Sequence, residues 1–357
     1  MRKTKVYLTL QNGRVFQGYA FGAEGEVTGE LVFSTGMVGY IEGLSDPSNY
    51  GQILVQTFPL IGNYGMVHSD VESEKAWVSA YVVREICDKP SNFRLDGNLE
   101  AYIKEQGVIG IYGVDTRELT KILREEGTMN ARISHRPLDE SEVLALAEYK
   151  TEGAVSVVSP KTKTVYGKEN AKYRVALWNF GAKNSTANAL VAQNCQVISL
   201  PADTSAKEIL ALEVDGIVLS DGPGNPEDNT EIIEEIKKAV GKKPILGLGL
   251  GHQMLALALG AKTKKEKYGH RGGNQPVKCL KNGKVYISTQ NHGYGVVKDT
   301  IQQGEVTFVN VNDESCEGIE YKNLQALGVQ FVPESCAAGH LENPVYDKFF
   351  ALMKKEK

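Results

Sequence analysis

The chain has 357 residues, which is long enough for two domains that each bury a hydrophobic core. Hydrophobic residues make up 41% of the sequence and charged residues 24%, as in ordinary globular proteins. The net charge of −4 excludes nucleic acid as an expected partner, because proteins that bind a phosphate backbone carry a basic excess.

Targeting signals and cysteine motifs are both absent from the sequence. The N-terminus is basic, but the apolar stretch at residues 6–10 is too short for a signal peptide, and no apolar run reaches the length of a membrane span. The five cysteines form no Cys-x-x-Cys pair, so neither a zinc site nor a disulfide framework is expected. These features predict a cytoplasmic protein with no membrane segment and no metal site.

Residues 1–150 predict a domain of short strands separated by glycine-containing turns. Strands are expected at residues 6–10, 15–19 and 31–34. One clear helix is expected to begin at Asp115, because an acidic N-cap followed three positions later by Glu118 forms a capping box. Apolar residues then recur at helical spacing until Gly127 ends the pattern.

The second half of the chain has a different pattern of predicted secondary structure. Residues 151–172 are rich in Ser, Thr, Lys and Gly without a lasting period, and we interpret them as a linker. From residue 173 to residue 357, apolar strands alternate with helical segments. Strands are expected at 174–178, 195–200, 216–219 and 245–248, and helices at 186–193, 231–240 and 254–259. This alternation predicts an α/β domain with a mostly parallel, doubly wound sheet, whose ligands bind beyond the carboxyl ends of the strands.

Two groups of motifs carry a resemblance to a known family. The first group lies at residues 31–40, 46–48, 59–65 and 113–120. The second group comprises Gly-Pro-Gly-Asn-Pro at 222–226, Gly-His-Gln at 251–253, Gly-His-Arg-Gly at 269–272 and Gln-Asn-His-Gly at 290–293. Together the motifs span nearly the whole chain in order, and the chain resembles the small, glutamine-amidotransferase subunit of carbamoyl-phosphate synthase.

The resemblance implies a fold, a partner and a set of ligands. The expected fold is an N-terminal swivelling β/β/α domain followed by a flavodoxin-like, doubly wound class I amidotransferase domain. In the family, the small subunit hydrolyses L-glutamine and passes ammonia to a large synthetase subunit, which makes carbamoyl phosphate from ammonia, bicarbonate and ATP. ATP and Mg are expected on that large subunit and no cofactor on this chain, which has no Gly-x-x-x-x-Gly-Lys-[Ser/Thr] loop. Whether the arginine or the pyrimidine pathway is served stays open.

By this resemblance, the catalytic positions of the family are substituted in this chain. Residues 247–251 have the glycine-rich setting of a nucleophile elbow, but Gly249 stands where the family has its cysteine. The His-Pro-Glu run of the family is replaced by Val332-Pro333-Glu334, so the base position cannot accept a proton and Glu334 has no imidazole to orient. The sequence therefore predicts that the glutaminase of this chain is inactive. The other histidines at family positions are expected to be structural: His252, His270 and His292.

The remaining glutamine pocket is better preserved. By resemblance, the residues expected to contact glutamine are Ser48, Gly222, Gly224, Leu250, Gln253, Asn291, Gly293 and Tyr294. The backbone N–H groups of Gly224 and Leu250 would form the oxyanion hole. Glycines and asparagine at strand ends are also what tight turns require. The departures from the family pattern are Asn179 before Phe-Gly, Asp221 and Asn225 in swapped order around the Gly-Pro-Gly turn, and Gln275 in place of a frequent histidine.

Three interpretations of the function stay open. The favoured one is a subunit of an ammonia-using carbamoyl-phosphate synthase, because the N-terminal domain is retained. The second is a free-standing pseudoenzyme that binds glutamine or another metabolite and has a regulatory role. The third is a working hydrolase with a rearranged nucleophile, for which Cys336 and His340 are the candidates near Glu334. A bystander thiol is the simpler interpretation of Cys336, since nothing places it at the elbow.

Overall fold

The computed structural model describes residues 4–334 and 344–354. The chain divides into two compact units after Glu152. Within the described ranges, no helix is long and apolar enough to cross a membrane.

The first unit is built on a closed barrel. Its strands are β1 (Lys5–Leu10), β2 (Val15–Gly22), β3 (Val27–Ser34), β4 (Gln52–Gln56), β5 (Leu60–Ile61), β6 (Ala80–Val82), β7 (Glu85–Ile86), β8 (Ile109–Tyr112) and β9 (Met129–Ser134). The barrel order is β1-β2-β8-β6-β4-β3-β9, and β5 pairs with β7 apart from it. Its helices are α1 (Tyr40–Ser45), α2 (Leu99–Glu105), α3 (Thr116–Glu126) and α4 (Glu140–Leu146). The three strands expected from the sequence lie within β1, β2 and β3.

Helix α3 begins and ends where the sequence predicts, but its N-terminus is only half of a capping box. The Asp115 side chain accepts a hydrogen bond from the backbone N–H of Glu118 at 3.0 Å. The Glu118 carboxylate accepts a bond from the Arg14 guanidinium at 3.1 Å, so it ties α3 to the start of β2. Gly127 ends the helix with φ 98°, a conformation that glycine adopts without strain.

The second unit contains six helices and ten strands among its described residues. The helices are α5 (Ala154–Val158), α6 (Asn184–Ala192), α7 (Ala206–Ala211), α8 (Thr230–Ala239), α9 (Leu250–Ala258) and α10 (Pro344–Lys354). The strands are β10 (Thr164–Tyr166), β11 (Tyr173–Trp178), β12 (Cys195–Leu200), β13 (Gly216–Leu219), β14 (Ile245–Leu248), β15 (Thr263–Cys279), β16 (Val285–Val296), β17 (Glu305–Asn310), β18 (Cys316–Tyr321) and β19 (Ala326–Val329).

These strands form one ten-stranded sheet in the order β10-β12-β11-β13-β14-β19-β18-β17-β15-β16. The run from β12 to β19 is parallel, as the alternation of strands and helices predicts. The strands from β18 to β16 extend it as an antiparallel sheet, and the edge strand β10 is also antiparallel. The sheet is therefore mixed, and the expectation of a mostly parallel sheet holds only for its centre.

Both faces of the parallel centre are apolar. Along β11, Val175 packs in the cluster that contains Phe349 of α10, whereas Ala176 packs in the cluster that contains Leu255 of α9. Successive side chains of a strand point to opposite faces, so this alternation places helices on both sides of the sheet. That is the doubly wound arrangement expected from the sequence.

The segment expected to be a linker has structure of its own. Residues 151–172 include α5 and β10. Val155 of α5 is buried in the core of the second unit, and Val165 of β10 pairs with Ile198 of β12. Elements this short show no periodicity that a sequence reading can detect. They form because the neighbouring sheet edge and core supply partners.

Helix α9 lies directly against the sheet at His252. The imidazole is fully buried, and neither ring nitrogen has a hydrogen-bond partner among the described residues. A Cβ atom added at Gly328 of β19 would lie 2.5 Å from Nδ1 of His252, so the ring fills the space above that glycine. Burial lowers the pKa of His252 to about 3, and the ring is therefore neutral in the folded protein.

We expect His252 to reduce the stability of the protein in mild acid. In the unfolded chain this imidazole takes up a proton near its usual pKa of 6.5, whereas in the folded protein it does so only near 3. The stability contributed by the neutral ring is therefore complete above pH 6.5 and is lost as the pH falls. Between pH 6 and pH 5 this one group should lower the free energy of unfolding by about 1 kcal/mol.

The measurement is urea denaturation of His252→Gln and of the unmodified chain at both pH values. The variant should lose about 1 kcal/mol less stability over this interval. The same substitution at His135, whose side chain is exposed, is the matched control and should leave the pH dependence unchanged. Equal pH slopes for His252→Gln and the parent chain would contradict the expectation.

Candidate active site

The sharp turn from β14 into α9 has the backbone geometry of a nucleophile elbow. Its apex, Gly249, has φ 49° and ψ −112°, in the region of positive φ that favours glycine. A Cβ atom at Gly251 would lie 2.3 Å from the carbonyl oxygen of Leu219, and one at Gly247 would lie 2.8 Å from Cα of His252. The flanking glycines are thus required by the close approach of helix and sheet.

The carboxylate of Asp221 occupies the space above Gly249. Its Oδ1 atom accepts hydrogen bonds from the backbone N–H of Gly222 at 2.8 Å and of Leu250 at 2.9 Å. A Cβ atom built on Gly249 would lie only 2.1 Å from the same oxygen. Asp221 is buried, so this carboxylate fills the place where a side chain at the apex would begin. In the sequence, Asp221 was noted only as a departure from the family pattern.

The interaction of Asp221 with Leu250 engages one of the two expected oxyanion-hole donors. The N–H of Leu250 is at the N-terminus of α9, where the helix dipole favours a negative charge. A carboxylate oxygen is itself a stable anion that satisfies this donor. A substrate oxyanion would have to displace it and would meet a second negative charge nearby. The other expected donor, Gly224, lies in a turn with φ 89°.

The expected base and its orienting acid lie beyond the end of β19. Val332 is buried, and its backbone N–H donates to the carbonyl of Thr289 at 3.0 Å. The Glu334 carboxylate accepts a hydrogen bond from the Tyr346 hydroxyl at 2.9 Å and another from the Thr186 hydroxyl. No histidine of the described ranges hydrogen-bonds Glu334. This carboxylate therefore links α6 and α10 and does not orient an imidazole.

Of the expected pocket residues of the second unit, Gln253 and Tyr294 are in direct contact. The Gln253 side chain donates through Nε2 to the carbonyl of Tyr294 at 2.7 Å and to Oε1 of Gln330 at 2.9 Å. Both N–H groups of this amide are thus engaged inside the protein. Asn291, Gly293 and Tyr294 lie on β16, and the hydrogen bond from Gln253 to Tyr294 joins α9 to that strand. Gln330 was missed in the sequence because it carries no motif.

Gly222 and Gly224 flank the turn that follows Asp221. A Cβ atom at Gly222 would lie 2.3 Å from the carbonyl oxygen of Phe180, and one at Gly224 would lie 3.2 Å from Cβ of Ala154. The turn at Gly222 and Gly224 therefore packs closely against the loop after β11 and against α5. In that loop, Asn179 accepts hydrogen bonds from the N–H groups of two following residues, Gly181 at 3.0 Å and Ala182 at 2.7 Å.

Ser48 belongs to the first unit. It lies in a single 3-10 turn, Pro47–Asn49, whose N-cap Asp46 accepts a bond from the N–H of Ser48 at 2.9 Å. Its hydroxyl is buried and has no hydrogen-bond partner among the described residues. A buried hydroxyl without a partner costs free energy, so this atom is suited to a ligand contact.

None of the cysteines in the described part of the chain lies in the glycine-rich turn at residues 247–251. The free thiols there are Cys87, Cys195, Cys279 and Cys316. Burial raises the pKa of Cys195 and of Cys316 to about 12, which keeps both as unreactive thiols. Cys336 and His340 lie outside the described residues.

The chain is similar along its whole length to one group of bacterial proteins. Residues 8–133 match the family model described as carbamoyl-phosphate synthase small chain, CPSase domain, and residues 176–352 match glutamine amidotransferase class-I. The chain is 47% identical over 350 residues to the carbamoyl phosphate synthase small chain of Clostridium perfringens, covering 97% of this chain and 98% of that protein. The identity is 43% for the small chain of Bacillus caldolyticus, with 98% of this chain and 97% of that protein covered. It is 44% for that of Fusobacterium nucleatum, with 96% of both covered.

We expect a side chain at position 249 to conflict with Asp221. Gly249→Ala should lower the free energy of unfolding by about 1–3 kcal/mol, because φ is positive and the Asp221 carboxylate must move. In an Asp221→Ala background the same change should cost less, with a coupling of about 1 kcal/mol in a double-mutant cycle measured by denaturation.

The control for this cycle is Gly273→Ala. A Cβ atom there would meet only the Thr289 hydroxyl at 3.6 Å, an ordinary contact. Its effect should be small and independent of position 221. Additive effects of Gly249→Ala and Asp221→Ala would show that the carboxylate does not occupy the apex in solution.

Proposed function

Because this chain belongs to the carbamoyl-phosphate synthase small-chain family and carries its class-I glutamine amidotransferase domain, we propose that it acts as a small subunit that does not hydrolyse glutamine. In this proposal its partner is a large synthetase subunit, which makes carbamoyl phosphate from ammonia, bicarbonate and ATP. ATP and Mg bind to that partner. The observation that carries the proposal is the Asp221 carboxylate bound to the N–H of Leu250 above Gly249.

The missing activity follows from the chemistry of amide hydrolysis. The reaction requires a nucleophile, a base to activate it and donors for the oxyanion. We infer that Gly249 stands at the nucleophile position and Val332 at the base position, and neither side chain can perform its step. Removal of a catalytic nucleophile alone lowers the rate by several orders of magnitude. The Asp221 carboxylate, which is bound to the N–H of Leu250, would also repel the negative charge that develops on the substrate oxygen during amide hydrolysis.

The alternative of a glutamine-binding pseudoenzyme has weaker support. Both N–H groups of Gln253 are already engaged by Tyr294 and Gln330. The N–H of Leu250 is engaged by Asp221. A glutamine carboxamide would have to replace these internal partners, and an unsatisfied buried polar group costs about 1–3 kcal/mol.

Exposed apolar residues of the first unit support a docking role for this unit. The most exposed are Met37 at 70%, Val38 at 76% and Phe93 at 96%. Each of their loops contacts the segment at Tyr64 and Gly65, because the Tyr64 hydroxyl accepts a bond from the N–H of Gly39 and a Cβ atom at Gly65 would collide with the Leu95 side chain. Apolar side chains exposed together mark interaction sites. We infer that the large subunit covers them.

The proposal predicts an enzyme that depends on ammonia. The chain co-expressed with a large synthetase subunit should co-purify with it and form carbamoyl phosphate from ammonium, bicarbonate and MgATP. With glutamine as the only nitrogen donor, the rate should stay at the level of the large subunit alone. Steady release of ammonia from glutamine that scales with the amount of protein would contradict the proposal. Failure to co-purify, together with calorimetric binding of glutamine, would favour the pseudoenzyme.

Repair of the site provides a second test. Gly249→Cys combined with Val332→His should remain inactive while Asp221 is present, because the carboxylate occupies the oxyanion donor and opposes a thiolate. Adding Asp221→Ala removes the charge and also the oxygen that engages the N–H of Leu250 and lies above position 249. The triple variant should hydrolyse glutamine at least about tenfold faster than the double variant, since one oxyanion donor is worth about 10²–10³ in rate.

The control for the repair is the triple variant with alanine in place of the new cysteine. It should fold equally well by circular dichroism and release no ammonia. Equal rates for the double and triple variants, both folded and active, would show that Asp221 does not block the site. A folded triple variant without activity would show that the pocket has lost more than the positions identified above.

A further inference from the structure

Three donor side chains converge between the long strands β15 and β16. They are Glu266 and His270 on β15 and His292 on β16, and one ligand atom from each lies within 4.8 Å of the others. His270 and His292 are paired across the two strands, and a register shift between Lys265 and His270 curves β15. The cluster is buried, with side-chain exposures of 12%, 8% and 6% for Glu266, His270 and His292.

The hydrogen bonds of His292 fix the position of its proton. Its Nδ1 atom lies 2.8 Å from the carbonyl oxygen of Tyr294. A carbonyl only accepts, so Nδ1 carries the hydrogen and Nε2 presents its lone pair. In this neutral form, Nε2 lies 3.2 Å from Nδ1 of His270 and 2.7 Å from Oε1 of Gln290, an amide oxygen that also only accepts. Acceptors therefore face Nε2 from two sides, and a cation bound between them would remove the repulsion.

The second imidazole is fixed in the complementary way. Nε2 of His270 lies 3.0 Å from Oδ2 of Asp313, a carboxylate oxygen that accepts the ring N–H. The lone pair of the ring is then on Nδ1, which faces His292. Oε2 of Glu266 lies 3.5 Å from the same Nδ1 atom. The Glu266 carboxylate thus lies beside two imidazoles that face each other in a buried space, and this group of acceptors favours a bound cation.

The geometry points to a binding site for Zn²⁺, or a divalent first-row metal of similar preference, formed by Glu266, His270 and His292. In a tetrahedral site with bonds of about 2.0–2.2 Å, neighbouring ligand atoms are roughly 3.3–3.6 Å apart. The separations of 3.2 Å and 3.5 Å around Nδ1 of His270 agree with this spacing. Oε2 of Glu266 lies 3.9 Å from Nδ1 of His292, so the carboxylate would turn toward Nε2 of that ring to complete the site. Two imidazoles and one carboxylate suit zinc, whereas Mg²⁺ and Ca²⁺ prefer oxygen ligands alone.

The outer contacts match those of protein metal sites. A metal-bound histidine usually donates its other N–H to a carboxylate or a backbone carbonyl, which fixes the ring. Asp313 provides the first kind of acceptor and Tyr294 the second. Glu317, which is fully buried, adds negative charge with Oε1 3.8 Å from Nδ1 of His270. The sequence does not predict this site, because its ligands belong to no cysteine motif and to no short histidine motif.

The proposed metal would join β15 to β16 next to Asn291, Gly293 and Tyr294. It would thus be a structural site that holds the strand carrying these pocket residues. This role is independent of whether the chain hydrolyses glutamine or binds a large subunit.

The test uses the full chain without a histidine tag, freed of metal by a chelator and then dialysed. Zn²⁺ titrated by calorimetry should bind with a stoichiometry of one. Co²⁺ should produce the visible absorption bands of a four-coordinate site. His292→Gln and Glu266→Gln should each weaken Zn²⁺ binding at least tenfold, and Asp313→Asn should weaken it by about 10–100-fold as an outer contact. His135→Gln, at an exposed histidine, should bind Zn²⁺ like the parent chain.

The opposite result would be a folded parent chain that takes up no Zn²⁺ and gives no visible Co²⁺ bands. That outcome would overturn the metal site and leave a shared proton between His270 and His292 as the cation. Zn²⁺ binding that is equally strong in His292→Gln and Glu266→Gln would overturn it as well, because the metal would then be bound elsewhere. If one variant fails to fold, the other variant and Asp313→Asn still locate the metal, and a parent chain without Co²⁺ bands overturns the site in any case.

Discussion

The close approach of α9 to the sheet determines the geometry of the candidate site. Gly251 lies where any Cβ atom would meet the carbonyl of Leu219, and Gly328 lies directly under the ring of His252. With no side chains in between, the start of the helix is held against the carboxyl ends of β13 and β14. This close approach brings the N–H of Leu250 within hydrogen-bond distance of the Asp221 side chain.

The backbone N–H that can stabilise a substrate oxyanion can equally stabilise the carboxylate of a neighbouring side chain. A backbone N–H at a helix N-terminus stabilises negative charge, whether that charge develops on a substrate or is already present on a side chain. Asp221 satisfies the donor in the resting protein. Gly249 makes this possible, since a larger residue would collide with the carboxylate. Asp221 and Gly249 therefore depend on each other. The absence of a side chain at Gly249 leaves the space that the Asp221 carboxylate occupies.

The polar residues beyond the elbow have acquired internal partners. Glu334 is held by hydroxyls from α6 and α10, and Gln253 by Tyr294 and Gln330. Buried polar groups need such partners, and each bond lowers the tendency of its residue to engage a ligand. The chain has a class-I glutamine amidotransferase domain, and in this structure the hydrogen bonds of Glu334 and Gln253 are made within the protein. The cluster of His270 and His292 behaves differently, because two ring nitrogens face each other at 3.2 Å.

The sequence alone determined the features that depend on neighbours in the chain. The strands at the start of the barrel, the Asp115 cap, the alternation of strands and helices and the glycine-rich turn at Gly249 follow from local periodicity and turn chemistry, and the structure contains all of them. Only the tertiary structure decided which distant groups meet. Asp221 reaches Leu250 across 29 positions and His270 reaches Asp313 across 43, and the antiparallel half of the sheet and β10 form by pairing with strands far along the chain. Such contacts depend on the order of the strands and on the connections between them. Neither leaves a short-range signal in the sequence, because a residue's partners across a sheet are set by the whole fold and not by its neighbours in the chain.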